Sequence, residues 1–309
     1  AETYRPSTNT TSNHSVANNW WNSTVRAGFL LHMEGVMNNS KKDQCILEDF
    51  VVGARALEKM FICIVDRPSN SNSNSHQNGC SVEIHHVNGA SSASAGHLQI
   101  NLYLGEEYSF SRLPESIQRG ALIPVRTTVF AHSPTIEPVS NSLSSRINLE
   151  GLQKLRRYCA IRTRRPPQGQ SQWSAVMMQE IAELLHTVQE SLDLGNNSQN
   201  SSPRNKNKNN KNNESIWMLA LNRIGRLVGA GRIVTCKDGI DLTSMATTLE
   251  FAHLLRDNHK VQDIQDVCDT LRSRGVRRDN IQKNRHTRNY NTILRENMAV
   301  PYRPPRNTN

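Results

Sequence analysis

A chain of 309 residues has room for two ordinary domains or one large one, but with 36% hydrophobic and 5% aromatic residues it is too polar to be packed throughout. Its formal net charge of +10 is lopsided: residues 1–150 carry eleven basic and thirteen acidic side chains, residues 151–309 twenty-six and fourteen. No apolar run reaches the roughly 18 residues that cross a bilayer, and the first residues lack a basic-then-apolar leader, so a membrane partner is not expected.

Residues 1–18 are polar and aperiodic and read as a flexible arm. Order begins at "NNWWNSTVRAGFLLHMEGVM", where Trp20, Val25, Phe29, Leu30 and Met33 fall near helical spacing. "DQCILEDFVVGARALEKMFICIV" repeats Ile46, Phe50, Val51, Ala54, Leu57, Met60 and Phe61 at threes and fours, an amphipathic helix that ends in a buried strand, "MFICIVD". After a loop at Arg67–Gly79, "CSVEIHHV" and "GHLQINLYL" alternate apolar and polar residues and predict a hairpin. "ALIPVRTTVFAH" predicts a third strand, which Pro124 should keep at an edge or a bulge. These elements make an α+β domain over 19–135, helices first and a small β-meander after.

Residues 136–149 read as a connecting segment, and 150–300 as a basic, all-helical region. "SQWSAVMMQEIAELLHTVQESLDLG" puts Trp173, Met177, Ile181, Leu184, Leu185, Val188 and Leu192 on one face. An Asn/Lys-rich insertion at 196–215 is low in complexity and predicts disorder. "ESIWMLALNRIGRLVGAGRIV" reads as a helix on Trp217, Leu221 and Ile224, and "DLTSMATTLEFAHLLRDN" as another with Asp241 as its cap. "KVQDIQDVCDTLRSRG" closes the series at Gly275, and the proline-containing tail 301–309 cannot continue a helix.

No catalytic signature stands out. The glycines of "GRLVGAGR" lack the Lys-Ser/Thr of a phosphate loop. Cys80, His85, His86 and His97 match no zinc spacing, and neighbouring strand residues point to opposite faces, so no metal or other cofactor is expected. The six cysteines are scattered without a C-x-x-C pair, which suits reduced thiols in the cytoplasm or nucleus. An enzyme is therefore not expected.

The basic clusters carry the functional reading. Lys154, Arg156, Arg157, Arg162, Arg164 and Arg165 lie within twelve positions, and no acid stands between Glu150 and Glu180. With Leu152, Leu155 and Cys159 inward, the cations project outward. A second group, Arg272, Arg274, Arg277, Arg278, Lys283, Arg285 and Arg288, is set against one acid, Asp279, with Tyr290 beside it as a stacking group. Such clusters predict a nucleic-acid-binding or nucleoprotein-structural protein that contacts phosphates, RNA favoured over duplex DNA, with the α+β half serving packing or self-association. The alternatives are an adaptor for an acidic protein partner and an enzyme with an unrecognised site.

Overall fold

A computed structural model describes residues 20–37, 41–66, 80–87, 96–105, 110–133, 142–164, 174–197, 213–237, 239–286, 290, 298 and 302–304. The arm at 1–18, the loop at 67–79, residues 198–212 of the insertion and most of the tail lie outside them. The architecture is mixed α+β, with strands concentrated in the N-terminal half and helices in the C-terminal half. The chain divides into two compact units that interleave along the sequence: Ala1–Leu31, Arg55–Thr127 and Arg156–Gln179 form the first, His32–Ala54, Thr128–Leu155 and Glu180–Asn309 the second.

In the first unit a short helix, α1 (residues 20–27), ends at Gly28, whose φ of +96° suits glycine. A Cβ there would also meet the Pro124 carbonyl oxygen at 2.5 Å. The sequence reading ran one helix through this point. Instead β1 (Phe29–Val36) begins, a strand buried on both faces over most of its length, and such a strand lacks the alternation that distinguishes it from a helix. β2 (Met60–Val65) is the strand expected after helix α2 (Lys41–Leu57). β3 (Ser81–Val87) and β4 (His97–Tyr103) pair antiparallel with Ile84 opposite Ile100. β2 lies parallel to β4, Ile62 opposite Ile100, so the strands do not form a simple meander. A short helix, α3 (Glu115–Gln118), supplies Ile117, which packs with Ile64 and Ile123 against Trp21, Val25, Phe29 and Leu102.

β5 (Ile123–His132) has β2 on one side in the first unit and β1 on the other in the second. It is therefore not an edge strand, and Pro124 is accommodated because pairing with β2 involves only Ile123 and Pro124.

The second unit contains most of α4 (Ser142–Arg162), α5 (Ala175–Asn197) from Glu180 on, α6 (Asn213–Val228), α7 (Asp241–His259), α8 (Ile264–Arg274) and α9 (Val276–Arg285). α4 begins inside the span read as a connector. α6 buries Trp217, Leu221, Ile224 and Val228, as its periodicity predicts. The next residues depart from the all-helical reading. Gly229, at φ +71°, ends α6, and Gly231–Cys236 form β6, beside β1. The core is built from Val36, Cys236, Leu242, Met245, Leu249, Cys268, Ile281 and Tyr302. Asp263 caps α8 by accepting from the Asp266 amide at 2.9 Å.

Candidate functional site

Strand periodicity brings His32 and Glu34 of β1 to one face. Glu34 is fully buried, and Arg232 of β6 clasps it with both prongs, Nε to Oε1 at 2.6 Å and Nη2 to Oε2 at 2.7 Å. His32 Nε2 lies 3.3 Å from Oε1 and His132 Nε2 3.8 Å from Oε2. The Asn222 amide, turned to satisfy both neighbours, donates to Glu34 at 2.5 Å and accepts from Arg232 at 3.2 Å. Burial alone would raise the Glu34 carboxyl. The charge of Arg232, its paired hydrogen bonds and the adjacent polar rings of His132 and His32 outweigh it and hold the group well below the usual carboxylate range.

The charge network runs on through the helices. Glu250 of α7 accepts two bonds of 2.8 Å from Arg226 and lies 3.5 Å from Arg232. Arg223 joins Glu180 at 2.7 Å and Asp257 at 3.0 Å. His253, on the same helix as Glu250, is pushed down to about 4, first by burial and then by Arg226. With a guanidinium across both Glu34 oxygens, this carboxylate is taken up by an ion pair and not offered to a metal. Among the described residues no group of three His, Cys, Asp or Glu side chains could hold a metal ion.

The same unit carries a second constellation. β6 ends at Cys236, the chain turns through Gly239 at φ +66°, and α7 starts at Asp241. Thr243, in the first turn of α7, donates its hydroxyl to the Cys236 sulfur at 3.0 Å. Cys236, Asp241, Thr243 and Ser244 are all buried. A strand that delivers a sulfur to the start of a long helix has the topology of an anion cradle, since the first amides of a helix lack intrahelical partners. The residues between Cys236 and Thr243 are Lys, Asp, Gly, Ile, Asp and Leu, with no guanidinium among them. This placement was missed in the sequence because "GAGRIV" was absorbed into the preceding helix, which hid Cys236 as a strand end. The usable signal was Gly229 and Gly231 followed by the β-branched pair Ile233 and Val234.

The residues of the predicted basic site fall in different surroundings. Lys154 is half-buried and pairs with Glu150 at 3.5 Å. Arg156, Arg157 and Arg164 are exposed as expected. Arg162 is instead only 1% exposed, lies beneath the Trp20 ring at 5.0 Å, and donates to Ser23 at 2.6 Å, Thr24 at 2.5 Å and the Trp20 carbonyl at 3.1 Å. Arg272 is buried too, bonded to Thr248 at 2.9 Å and to the Met245 and Arg303 carbonyls. Tyr290 cannot stack on a base, because it is buried and its hydroxyl donates to the Arg272 carbonyl at 3.0 Å. Arg274 and Lys283 are exposed, and Arg278 is half-buried with a bond to the Ser273 carbonyl. Arg277 and Arg285 lie on α9, while Arg165 and Arg288 fall outside the described residues. The α4 group from Arg156 on belongs to the first unit and the α8–α9 group to the second.

In the histidine-rich region, His85 pairs with Glu83 at 3.3 Å and His97 packs edge-on against Phe61. Among the described residues no helix is long and apolar enough to cross a membrane.

Comparison with known proteins accounts for the frame. The chain is 27% identical over 291 residues to human inositol polyphosphate 4-phosphatase type II and to type II inositol 3,4-bisphosphate 4-phosphatase of Pongo abelii. It is 26% identical over the same length to the latter's counterpart in Rattus norvegicus. Each alignment covers 91% of this chain but 28% of the relative, so the chain spans little more than a quarter of the curated proteins it matches. These relatives overturn the RNA-binding and nucleoprotein reading: net positive charge marks a preference for anions without saying which anion, and Arg162 and Arg272 serve the interior. The family model described as INPP4A C-terminal domain matches residues 18–302, and the chain belongs to that family.

Proposed function

We propose that this chain is a phosphoinositide-related domain that engages a phosphorylated inositol without hydrolysing it. Membership of the family and the named activity of the relatives support the ligand class. The observation that carries the second half is the cradle itself: between Cys236 and Thr243 the sequence has two carboxylates, Asp238 and Asp241, and one ammonium, Lys237.

A sulfur nucleophile attacking a phosphomonoester must approach a group that is already anionic. Catalysis of phosphoryl transfer therefore rests on cations and donors arranged around the equatorial oxygens. Arginine supplies that charge with a matching fork geometry. The cradle has no arginine of its own, and the nearby guanidiniums of Arg232 and Arg226 are committed to Glu34 and Glu250. The first turn of α7 is itself occupied by a buried carboxylate, Asp241, which opposes a second anion there. Six cysteines without a disulfide among the described residues support a reducing, intracellular setting.

The test pairs binding with turnover. The purified chain and a Cys236→Ser variant are titrated with short-chain phosphatidylinositol 3,4-bisphosphate, and inorganic phosphate is measured in parallel. Saturable binding with no release above the variant is expected. Phosphate release that disappears in Cys236→Ser would overturn the non-hydrolysing reading, and absence of saturable binding would overturn the ligand class.

A further inference from the structure

We propose that the end of α4 and the adjoining α1, in the first unit, form a docking surface for an anionic lipid bilayer. Arg157 and Ile161, at i and i+4, share a face of α4, and Arg164 follows two residues past its last residue, Arg162. Arg26 of α1 is fastened to the same place, with Nη2 donating to the carbonyls of Ile161 at 3.3 Å and Arg164 at 3.0 Å. Arg26, Arg156, Arg157 and Arg164 are all exposed. Among the described residues none of the four has a carboxylate partner, and the sequence places no acid between Glu150 and Glu180.

Two large apolar side chains border these cations in the open: Ile161 and Trp20, each 37% exposed. Trp20 stands edge-on to Trp21 and is held over the buried Arg162, so its ring is fixed at the surface. A merely solvated helix face does not need an exposed tryptophan anchored in this way. Guanidiniums beside tryptophan and isoleucine match the layering of a bilayer surface, where phosphates lie outermost and the upper acyl region accepts an indole. An acidic protein would satisfy the arginines but gives no particular reason for the indole. The inference rests on the phosphoinositide reading only in choosing a lipid over other polyanions.

The test is co-sedimentation of the purified chain with vesicles of phosphatidylcholine alone and of phosphatidylcholine with phosphatidylserine. Binding is expected on the anionic vesicles only, weakening as salt is raised. A basic residue near such a surface contributes about a fivefold factor, so Arg157→Gln with Arg164→Gln should lower partitioning about 25-fold. Arg274→Gln with Lys283→Gln, in the other unit, should leave it near that of the unmodified chain. Failure to bind anionic vesicles at low salt, undiminished binding by the α4 pair, or equal loss in both pairs would each overturn the assignment. If vesicles bind and short-chain phosphatidylinositol 3,4-bisphosphate does not, the ligand class proposed above fails and the surface stands.

Discussion

Arg232 holds both oxygens of Glu34, a residue 198 positions earlier in the chain, at 2.6 and 2.7 Å. Glu34 is fully buried and Arg232 largely so, and their attraction mostly offsets the desolvation, so removing Arg232 exposes the full cost of the buried carboxylate. Arg232→Leu should therefore lower the unfolding free energy by about 3–5 kcal/mol in urea titration. Glu34→Leu combined with Arg232→Leu should recover part of that loss, because no buried charge is then left alone. A double variant as unstable as the single one would mean that packing, not charge, dominates at this position.

The same carboxylate predicts an acid limb. Burial raises Glu34, yet Arg232 and the neighbouring hydrogen bonds leave it below its ordinary value of 4.5. The folded state then binds this proton more weakly than the unfolded state does. The contribution is fully present above the unfolded value and is lost as pH falls through the depressed folded one. Urea midpoints should thus decline steeply below about pH 4.5 in the unmodified chain. The decline should be shallower in Glu34→Gln, which has nothing to titrate there.

Two arginines of α4, five residues apart, should behave oppositely. Arg157 is exposed, and Arg157→Gln should change stability by no more than about 0.5 kcal/mol. Arg162 is buried with three hydrogen bonds to α1 and a tryptophan ring above it. Arg162→Gln takes the guanidinium donor from the buried Ser23 and Thr24 hydroxyls, which themselves still donate to the Trp20 carbonyl at 2.8 Å, a loss of about 2–4 kcal/mol. Thermal melting of the two variants separates the cases, and equal melting temperatures would contradict the burial of Arg162.

That pair also marks how far the sequence could be read. Helical spacing correctly sent Leu152, Leu155 and Cys159 inward, and the same spacing gave α6 its buried Trp217, Leu221 and Ile224. Periodicity ranks faces by hydrophobicity, so a long cation that folds inward to polar partners is assigned to solvent by default. Arg162 and Arg272 were misplaced for that reason, as was Tyr290. β1 was misread because its burial on both faces erases alternation, and β6 because glycines beside an apolar run resemble a helix end. The candidate site was less legible still. Cys236 and Thr243 look ordinary as residue types, and only the strand end and the helix start bring them to 3.0 Å. Glu34 and Arg232 meet through strand neighbours that no local pattern encodes.

Glycine positions in two helices offer a test with opposite signs. Glycine inside a helix usually costs about 1 kcal/mol relative to alanine. At Gly53 of α2 nothing lies within 4 Å of an added Cβ, so Gly53→Ala should stabilise by about that amount. Gly151 of α4 is pressed against β5 instead. Its missing Cβ would collide with the Val129 carbonyl oxygen and meet two Phe130 ring atoms at 3.1 and 3.2 Å. One turn earlier, the Asn148 side chain accepts from the Ala131 amide at 2.7 Å and donates to its carbonyl at 2.9 Å, so the helix is tied to the strand backbone. Neither partner can retreat without breaking those bonds, because the obstacle is main chain and not the end of a flexible side chain. Gly151→Ala should therefore destabilise by about 1–3 kcal/mol despite the better helix propensity of alanine. Urea titration of the two variants side by side decides it, and stabilisation by both would mean that α4 does not approach β5 this closely.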